Sequence, residues 1–438
     1  MITIGMVSLG CPKNRVDGEL IIGKLKEKAA FTGIPEEADV IIVNTCGFIE
    51  AAKQESIDTI LEMAELKETG NLKGLIVTGC LSERYRDELI RELPEVDAFL
   101  GVHAYAEIAE AVERVCAQEK FVSFSEEDAK AEDFTERVMT TPSYSTYIKI
   151  AEGCSNRCTY CAIPYIRGGL KSRPMEEIEQ EVRHFAAKGV SEFILVAQDT
   201  TDYGKDLYGT PKIVELLERL APIEGVKWLR LLYAYPEGVT DELLDCMVKH
   251  ENIVKYIDIP IQHFSTKVLH RMHRRDTRES VYETIGRIRA AHPDFAVRTT
   301  LIAGFPGETE EDFEQLKQGV IDLKFDKLGV FAYSQEDGTP AARMDGQLPE
   351  EIKEQRAAEV MELQQPITLA ANEARIGKIV EVLIEERLST GYAGRSYLDA
   401  PEIDGAVYVK TDEALVIGEY YPVRITDADE YDLIGEPV

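Results

Sequence analysis

Basic side chains are scarce in this sequence relative to acidic ones. Its 438 residues include 49 Lys and Arg against 80 Asp and Glu, which gives a formal net charge of −31. Nucleic-acid backbones attract Lys and Arg, so this balance argues against a broad nucleic-acid-binding surface, although it leaves room for a local basic groove. The field of such a chain favours a basic partner; an acidic surface that only keeps the protein in solution is the alternative.

The sequence also has no long apolar run. No stretch of about 18 apolar residues occurs, so we expect no membrane-spanning helix. Residues 1–15 show neither the charged start nor the apolar core of a signal peptide, which predicts a cytoplasmic protein. Because the cytoplasm keeps thiols reduced, we do not expect the eight cysteines to form a disulfide framework. Those that cluster indicate metal binding or catalysis.

Residues 1–101 alternate between short β-branched apolar runs and segments with helical spacing. This pattern predicts a parallel sheet with helices on its faces. The predicted strands are Ile2–Val7, Val40–Val43 and Leu75–Val77, and the predicted helices are Glu19–Lys28, Ala51–Leu66 and Arg84–Leu93. Cys11, Cys46 and Cys80 follow the three strands. Ligands gather at the carboxyl ends of parallel strands, so these cysteines should meet at one edge, unless each is only a small buried apolar residue.

The alternation resumes with a longer period in residues 146–334. The predicted strands are Tyr147–Ile150, Phe193–Val196, Lys227–Leu232, Tyr256–Ile259, Val297–Ile302 and Leu328–Ala332. The predicted helices are Glu176–Ala187, Lys212–Leu220, Asp241–Lys249, Arg278–Ala291 and Glu310–Leu323. Six such units are fewer than the eight of a closed barrel, so the pattern predicts an open, partial (β/α)6 barrel.

The remaining segments connect or follow these two regions. A predicted helix at Tyr105–Ala117 precedes the acidic stretch Ser123–Glu136, and a later helix at Glu350–Ala374 is expected to be interrupted near Pro366. Short strands are predicted at Ile379–Ile384, Ala406–Val409 and Tyr421–Ile425. The sequence therefore predicts an α/β domain at 1–122, a linker at 123–142, a partial barrel at 143–372 and a small β domain at 373–438.

Three more cysteines, Cys154, Cys158 and Cys161, lie within eight residues directly after a predicted strand. Thiolates are the usual protein ligands of iron–sulfur clusters. A cluster of four irons held by three cysteines has one iron without a protein ligand, as a cluster that coordinates substrate requires. Zinc is the alternative, but a structural zinc site takes four ligands and no fourth Cys or His lies nearby in sequence.

This C-x3-C-x2-C spacing, with Tyr160 before the last cysteine, resembles the radical S-adenosylmethionine superfamily. The resemblance implies that the open iron binds S-adenosylmethionine, which one electron splits into methionine and a 5′-deoxyadenosyl radical. Residues 303–309, Ala-Gly-Phe-Pro-Gly-Glu-Thr, look like the cofactor loop of that superfamily, although glycines after a strand usually only form a turn. We expect Arg167 and Arg173 to line the active-site cavity or to hold the carboxylate of the cofactor. The alternative for both is a surface salt bridge. The implied cofactor-binding residues are Tyr160, Arg173, Gln198, Gly304, Gly307 and Glu308.

The first cysteine set and the domain order resemble the methylthiotransferase family. The motifs are Ser8–Asn14, Asn44–Cys46 and Thr78–Cys80, and the resemblance covers essentially the whole chain. It implies a second 4Fe–4S cluster on Cys11, Cys46 and Cys80 that carries the sulfur, and a second S-adenosylmethionine that supplies the methyl group. It also identifies residues 373–438 as the small antiparallel β-barrel called TRAM.

Within that family, the chain looks like the type that modifies the β-carbon of an aspartate in ribosomal protein S-twelve of the small subunit. The stretches that carry this likeness are residues 197–204, 258–263, 394–396 and 399–405. The acidic charge agrees, because it would attract a basic ribosomal protein and repel tRNA. The implied substrate contacts are Asp199, Tyr203, His263, Arg395, Glu402 and Asp404. The alternatives are capping of the following helix for Asp199 and Tyr203, and an ordinary core or surface histidine for His263. For Glu402 and Asp404 the alternative is a turn between strands with solvated charges.

Two rival functions stay open at this point. One is a tRNA adenosine methylthiotransferase, and the other is a non-catalytic iron–sulfur electron carrier. The expected partners are the ribosomal protein or the small subunit, an electron donor and a sulfur donor. Cys116 and Cys246 fall outside both cysteine sets and are predicted to pack in the core.

Overall fold

The computed structural model describes residues 2–124 and 134–438. Contacts divide the chain into two units. Unit 1 comprises Met1–Lys188, Val196–Gln198 and Glu336–Thr339, and unit 2 comprises Gly189–Leu195, Asp199–Gln335 and Pro340–Val438. Residues 125–133 of the predicted linker at 123–142 lie outside the described residues.

Unit 1 is built on a parallel sheet of six strands. The strands are β1 (Ile2–Ser8), β2 (Ala29–Thr32), β3 (Val40–Thr45), β4 (Gly74–Gly79), β5 (Ala98–Leu100) and β6 (Phe121–Ser123). The helices that follow them are α1 (Pro12–Leu25), α2 (Glu50–Thr69), α3 (Cys80–Glu92) and α4 (Ile108–Cys116). The order in the sheet is β2-β1-β3-β4-β5-β6, and every residue of the central strands β3 and β4 is buried. Burial on both faces explains why these strands are continuous apolar runs, and it confirms the predicted α/β layering.

The second half of unit 1 carries shorter elements. They are β7 (Ser145–Lys149), β8 (Ala151–Glu152), α5 (Ile163–Ile166), β9 (Lys171–Ser172) and α6 (Met175–Ala186). Strands β8 and β9 form a small antiparallel pair, with Ala151 opposite Ser172 and Glu152 opposite Lys171. This pair brackets the loop that contains Cys154, Cys158 and Cys161.

Unit 2 continues the alternation of strands and helices. Its strands are β10 (Glu192–Val196), β11 (Trp228–Leu231), β12 (Tyr256–Asp258), β13 (Ala296–Ala303) and β14 (Lys327–Ala332). Its helices are α7 (Lys205–Tyr208), α8 (Ile213–Leu220), α9 (Asp241–Lys249), α10 (Thr266–Arg271), α11 (Arg278–Ala291), α12 (Glu310–Leu323) and α13 (Glu350–Glu373). Strand β10 pairs in parallel with β11, and β12, β13 and β14 form a second parallel set. The predicted parallel alternation is therefore confirmed.

The predicted interruption near Pro366 is wrong, because α13 runs unbroken with Pro366 inside it. Proline removes one backbone hydrogen bond and usually kinks or ends a helix. Here α13 packs along β13, β14 and α12, so tertiary contacts hold the helix across the missing bond.

The C-terminal part of unit 2 is a closed barrel of five strands. They are β15 (Ile379–Arg387), β16 (Tyr392–Ser396), β17 (Val407–Val409), β18 (Tyr420–Ala428) and β19 (Leu433–Pro437). Their order around the barrel is β15-β16-β17-β19-β18. The barrel is antiparallel as predicted except between β17 and β19, which pair in parallel. Among the described residues, no helix combines the length and the apolar character needed to cross a membrane.

Candidate metal centre

Cys11, Cys46 and Cys80 lie at the carboxyl ends of three neighbouring strands in unit 1. Strand β1 pairs with β3 and β3 with β4, in registers that bring Ser8 beside Asn44 and Thr45 beside Gly79. Cys11 precedes the first residue of α1, Cys46 follows β3 directly, and Cys80 is the first residue of α3. The structure thus brings the three cysteines to one edge of the sheet, as the sequence predicted.

Glycines let the backbone pack closely around these cysteines. Gly10 has φ +85°, and a Cβ placed on it would lie 2.9 Å from the Cys46 Sγ. Gly79 has φ +97°, and its Cβ would lie 2.5 Å from the Thr45 carbonyl oxygen. Both positions need the left-handed region and the missing side chain that only glycine offers. The Gly-Cys pairs of the sequence are therefore a steric requirement of this edge.

Burial sets the electrostatics of this cysteine set. Burial raises the pKa of the Cys46 thiol, and it raises the pKa of Cys80 to about 12. The neighbouring Cys11 raises the pKa of both thiols further by charge repulsion, whereas the positive charge of Arg167 lowers both pKa values. These raised pKa values mean that the two thiols keep their protons near neutral pH, so a cation that binds the sulfurs must displace those protons.

Arg167 supplies the cation closest to Cys80. Its Nε and Nη2 donate to the Cys80 Sγ at 3.3 and 3.2 Å. The same guanidinium donates to Asp17 at 2.9 Å, to Glu152 at 2.8 Å and to Asn14 at 3.1 Å. The Arg167 side chain is only 2% exposed, so the surface salt bridge offered as its alternative role is wrong.

Lys149 and Glu152 extend this network. Lys149 donates to Asp17 and, at 2.8 Å, to Glu152. Burial by itself disfavours the Glu152 carboxylate, but Arg167 and Lys149 outweigh that cost and hold the pKa of Glu152 far below its usual range. Glu152 lies two residues before Cys154. The same network of buried charges therefore contacts Cys80 of the first cysteine set and the backbone segment that leads into the second.

The loop with Cys154, Cys158 and Cys161 is held by backbone contacts. Gly153 has φ +69°, and a Cβ there would lie 2.1 Å from the Gly169 carbonyl oxygen. The Cys154 N–H donates to the Gly168 carbonyl at 3.1 Å, and the Cys161 N–H donates to the Cys158 carbonyl at 3.0 Å. Burial, reinforced by Cys158, raises the pKa of Cys161 to about 12.

These donor sets fit iron–sulfur clusters. All eight cysteines lie in the described part of the chain, and none of them forms a disulfide there. Gln198 adds an acceptor beside the loop: its Nε2 donates to Glu152 at 3.0 Å, and its buried Oε1 has no hydrogen-bond partner within residues 2–124 and 134–438. Two sets of three thiols and one unused buried acceptor suit clusters with open irons and a polar cofactor.

Of the other predicted cofactor residues, some lie in unit 1 and the rest in unit 2. Tyr160 is half-buried beside Cys161 in unit 1. Arg173, also in unit 1, donates to Glu181 at 2.6 Å and to the Lys149 carbonyl at 2.7 Å, with its guanidinium over the ring of Phe134. The contacts of Arg173 are those of a packed structural arginine, and its role toward the cofactor stays a prediction.

In unit 2, Gly304, Gly307 and Glu308 form a rigid turn between β13 and α12. Both glycines have positive φ, and a Cβ on Gly304 would lie 2.5 Å from the side chain of Lys353. The Glu308 carboxylate accepts the Gly304 N–H at 2.9 Å and the Arg356 Nη1 at 2.6 Å. Glu308 is thus directed onto its own loop, and a direct cofactor contact stays a prediction.

Three of the predicted substrate residues are buried in unit 2. Asp199 accepts from Thr201 N and Oγ1 at 3.0 and 2.6 Å, which forms a turn, and Tyr203 is fully buried. His263 is also fully buried, between the Ser265 N–H at 2.9 Å and Glu308 at 3.1 Å. Their part in substrate binding stays a prediction.

The remaining predicted substrate residues lie on the barrel. Arg395 is 5% exposed and pairs with Glu192 at 2.6 Å and with Glu385 at 2.9 Å. Asp404 accepts from Tyr256 Oη at 2.7 Å, and its burial raises its pKa. Glu402 is exposed at φ +63° and is the accessible member of this group. Substrate contact by these residues stays a prediction as well.

The buried partners of Arg167 were missed as functional residues. Asn14 and Asp17 lie in α1, together with the buried Lys13, whose Nζ donates to the Ala197 carbonyl at 3.4 Å. The mainly polar and charged stretch at 13–19 could have indicated these residues. Its polar side chains are not confined to one face of a helix, so the helix has no separate solvent face for them.

Comparisons with known proteins agree with this geometry. The model of the Radical SAM superfamily matches residues 148–320, that of Uncharacterized protein family UPF0004 matches residues 3–101, and that of the TRAM domain matches residues 376–438. Each model covers a different part of the chain, in the order that the sequence predicted.

Full-length relatives are also known. The chain is 50% identical over 438 residues to a protein of Clostridioides difficile (strain 630) named ribosomal protein uS12 methylthiotransferase RimO, covering 100% of this chain and 99% of that protein. It is 50% identical over 445 residues to the protein of the same name from Acetivibrio thermocellus, covering 99% of this chain and 98% of the relative. Among solved structures, the radical S-adenosylmethionine methyltransferase TsrM from Kitasatospora setae has a TM-score of 0.55 at 12% identity, with coverage of 78% of this chain and 75% of TsrM. That likeness concerns the fold.

Proposed function

Because the chain belongs to the RimO family of ribosomal protein uS12 methylthiotransferases, which are radical S-adenosylmethionine enzymes, we propose that it modifies ribosomal protein uS12. The modification is the addition of a methylthio group to the β-carbon of an aspartate. The observation that carries the proposal is the 50% identity to RimO relatives over the full chain, together with two sets of three cysteines in unit 1.

The six cysteines are the proposed cluster ligands. Cys154, Cys158 and Cys161 would hold the 4Fe–4S cluster that the radical enzymes share, and Cys11, Cys46 and Cys80 would hold a second one. With S-adenosylmethionine bound, such clusters supply hydrogen-atom abstraction and sulfur, which acid–base side chains do not. The convergence of each set supports the assignment.

The protein's own residues prepare the site for that chemistry. Arg167 donates two hydrogen bonds to the Cys80 sulfur and would offset the charge of a bound thiolate. Asp17 and Glu152 keep the guanidinium compensated and oriented. Gln198 offers its unused Oε1 to a polar group of the cofactor, for which we retain Tyr160 and Arg173 as further contacts.

The proposed partners follow from charge and chemistry. A net charge of −31 favours the basic ribosomal protein, alone or in the small subunit, and disfavours tRNA. An electron donor and a sulfur donor complete the reaction, which we place in the cytoplasm. We also retain the boundaries 1–122, 123–142, 143–372 and 373–438 as the proposed domains.

Activity of the anaerobically reconstituted enzyme tests the proposal. We expect uS12 incubated with enzyme, S-adenosylmethionine, sulfide and a strong reductant to gain the mass of one CH2S unit on an aspartate, with release of 5′-deoxyadenosine. A variant with Cys154, Cys158 and Cys161 replaced by Ala serves as the control and should give neither product.

Two outcomes would favour the rival functions. Modification of tRNA adenosine with unmodified uS12 would identify a tRNA methylthiotransferase. Clusters without any 5′-deoxyadenosine would identify an electron carrier. Either result contradicts the proposal.

A further inference from the structure

Three side chains of the types that bind metals lie close together in unit 2, outside both cysteine sets. Glu218, Cys246 and His250 place one ligand atom each within 4.8 Å of the other two. The His250 Nε2 and a Glu218 carboxylate oxygen are 2.9 Å apart. Cys246 is buried, whereas Glu218 and His250 are half-buried, so the group has a closed base and a side open to solvent.

Two neighbouring helices bring these residues together. Cys246 lies in α9, and His250 is the residue directly after that helix, where its backbone N–H donates to the Cys246 carbonyl. Glu218 lies in α8, which packs against α9. The arrangement thus combines one residue within α9, one at its C-terminal cap and one carboxylate from the adjacent helix α8.

We propose that Glu218, Cys246 and His250 bind a zinc ion. Thiolate, imidazole and carboxylate are the three ligand types that zinc takes in proteins, and a site with three protein ligands keeps a fourth position for water. Zinc binds the thiolate, so binding releases the Cys246 proton, and the charges of Glu218 and the thiolate then balance the ion. In such a site Cys246 would be a zinc ligand, in addition to packing in the core.

Lys249 pairs with the carboxylate of Glu218. Its Nζ donates to both Glu218 oxygens, at 2.8 and 2.9 Å, from a side chain that is 63% exposed. An exposed lysine can leave this position at little cost, because surface ion pairs contribute about 0–1 kcal/mol. Lys249 is therefore a competitor of the metal for the Glu218 carboxylate.

The test measures zinc in the full chain after both cysteine sets have been loaded with iron and sulfide under anaerobic conditions. Loading those cysteines first prevents them from binding the added zinc. The protein is equilibrated with zinc chloride and passed through a desalting column, and its metal content and zinc-edge X-ray absorption are recorded. We expect one retained zinc per chain, with one sulfur among its neighbours.

Matched variants decide whether that zinc belongs to this site. Cys246→Ala and His250→Ala should each lose the zinc, whereas Cys116→Ala, which removes the other cysteine outside the two sets, should keep it. Lys249→Gln should bind zinc up to about fivefold more tightly, because the competing cation is gone. Far-ultraviolet circular dichroism shows whether each variant is folded, and His250→Ala, at a half-buried position, provides a second ligand test if Cys246→Ala is not.

The proposal is overturned if the wild type retains no zinc, if folded Cys246→Ala and His250→Ala retain it, or if Lys249→Gln weakens binding. Because this experiment reads retained zinc and not methylthio transfer, its failure leaves the proposed function standing. If methylthio transfer fails instead, the comparison of Cys246→Ala and His250→Ala with Cys116→Ala still decides the zinc site.

Discussion

At the residue scale, one buried guanidinium contacts a cysteine of the first set and a glutamate close in sequence to the second set. Arg167 donates to the Cys80 sulfur and to Glu152, two residues before Cys154. Hydrogen bonds to the ligand sulfurs are among the factors that set the reduction potential of an iron–sulfur cluster. The sequence predicted that Arg167 faces this region, but its partners Asp17 and Glu152 were not predictable. They lie 150 and 15 positions away, and a tertiary contact at such separations leaves no local pattern.

The Arg167 contacts predict a shift of potential. In a protein whose Cys154, Cys158 and Cys161 are replaced by Ala, only the cluster at Cys80 would remain. We expect Arg167→Gln to make its reduction potential more negative, because a cationic donor to the thiolate is lost, and Arg167→Lys to lie between Gln and the parent. Redox titration followed by electron paramagnetic resonance measures the potential. An unchanged potential in a cluster-loaded Arg167→Gln protein would contradict this role.

At the scale of elements, three helices that begin after a capping threonine have the bounds that the sequence predicted. The predictions for α9, α11 and α12 match the structure, and Thr240, Thr277 and Thr309 accept the capping hydrogen bonds. Strands β2, β5 and β6 of the first sheet were missed, because runs of three or four residues carry too little periodicity. Helix α3 begins at Cys80 rather than at Arg84, since the cysteine turn leads straight into it.

The loop between β13 and α12 provides an element-scale prediction. Glu308→Gln removes a buried carboxylate that holds Gly304 and Arg356, and we expect a loss of about 2–3 kcal/mol in unfolding free energy and weaker binding of S-adenosylmethionine. Denaturant unfolding and calorimetric titration measure the two effects. The control is Glu310→Gln, because Glu310 also contacts Arg356 but is 74% exposed, and should cost at most about 1 kcal/mol. Equal losses in the two variants would contradict the prediction.

A second element-scale prediction concerns Arg395 in β16 of the barrel. Arg395→Met removes one of the two arginines that pair with the buried Glu192, which keeps Arg230 at 3.2 Å, and it takes this partner from the half-buried Glu385. We therefore expect a loss of about 2–3 kcal/mol in unfolding free energy. Arg387→Met, at an exposed position of β15, should change stability by about 0.5 kcal/mol or less. Denaturant unfolding compares the two variants. If Arg395→Met is as stable as Arg387→Met, Arg395 is available for another role, such as the substrate contact first predicted from its motif.

At the scale of the whole molecule, net charge is the property that can be counted directly from the sequence. A net charge of −31 creates a long-range field that accelerates encounter with a basic protein. We expect the association rate with purified uS12 to fall by about tenfold or more from low to high salt, as measured by stopped-flow fluorescence. Binding to tRNA should be weak at every salt concentration. Tight tRNA binding that weakens steeply with salt would contradict this expectation and support the rival substrate.

Iron content tests the central claim, that six cysteines in two sets hold two clusters, most directly. Anaerobic reconstitution of the wild type should give about eight irons per chain, and replacing either Cys11, Cys46 and Cys80 or Cys154, Cys158 and Cys161 by Ala should leave about four. Cys116→Ala, the matched control, should retain about eight. Wild-type protein that binds no iron after reconstitution, or either triple variant with undiminished iron, would contradict the account.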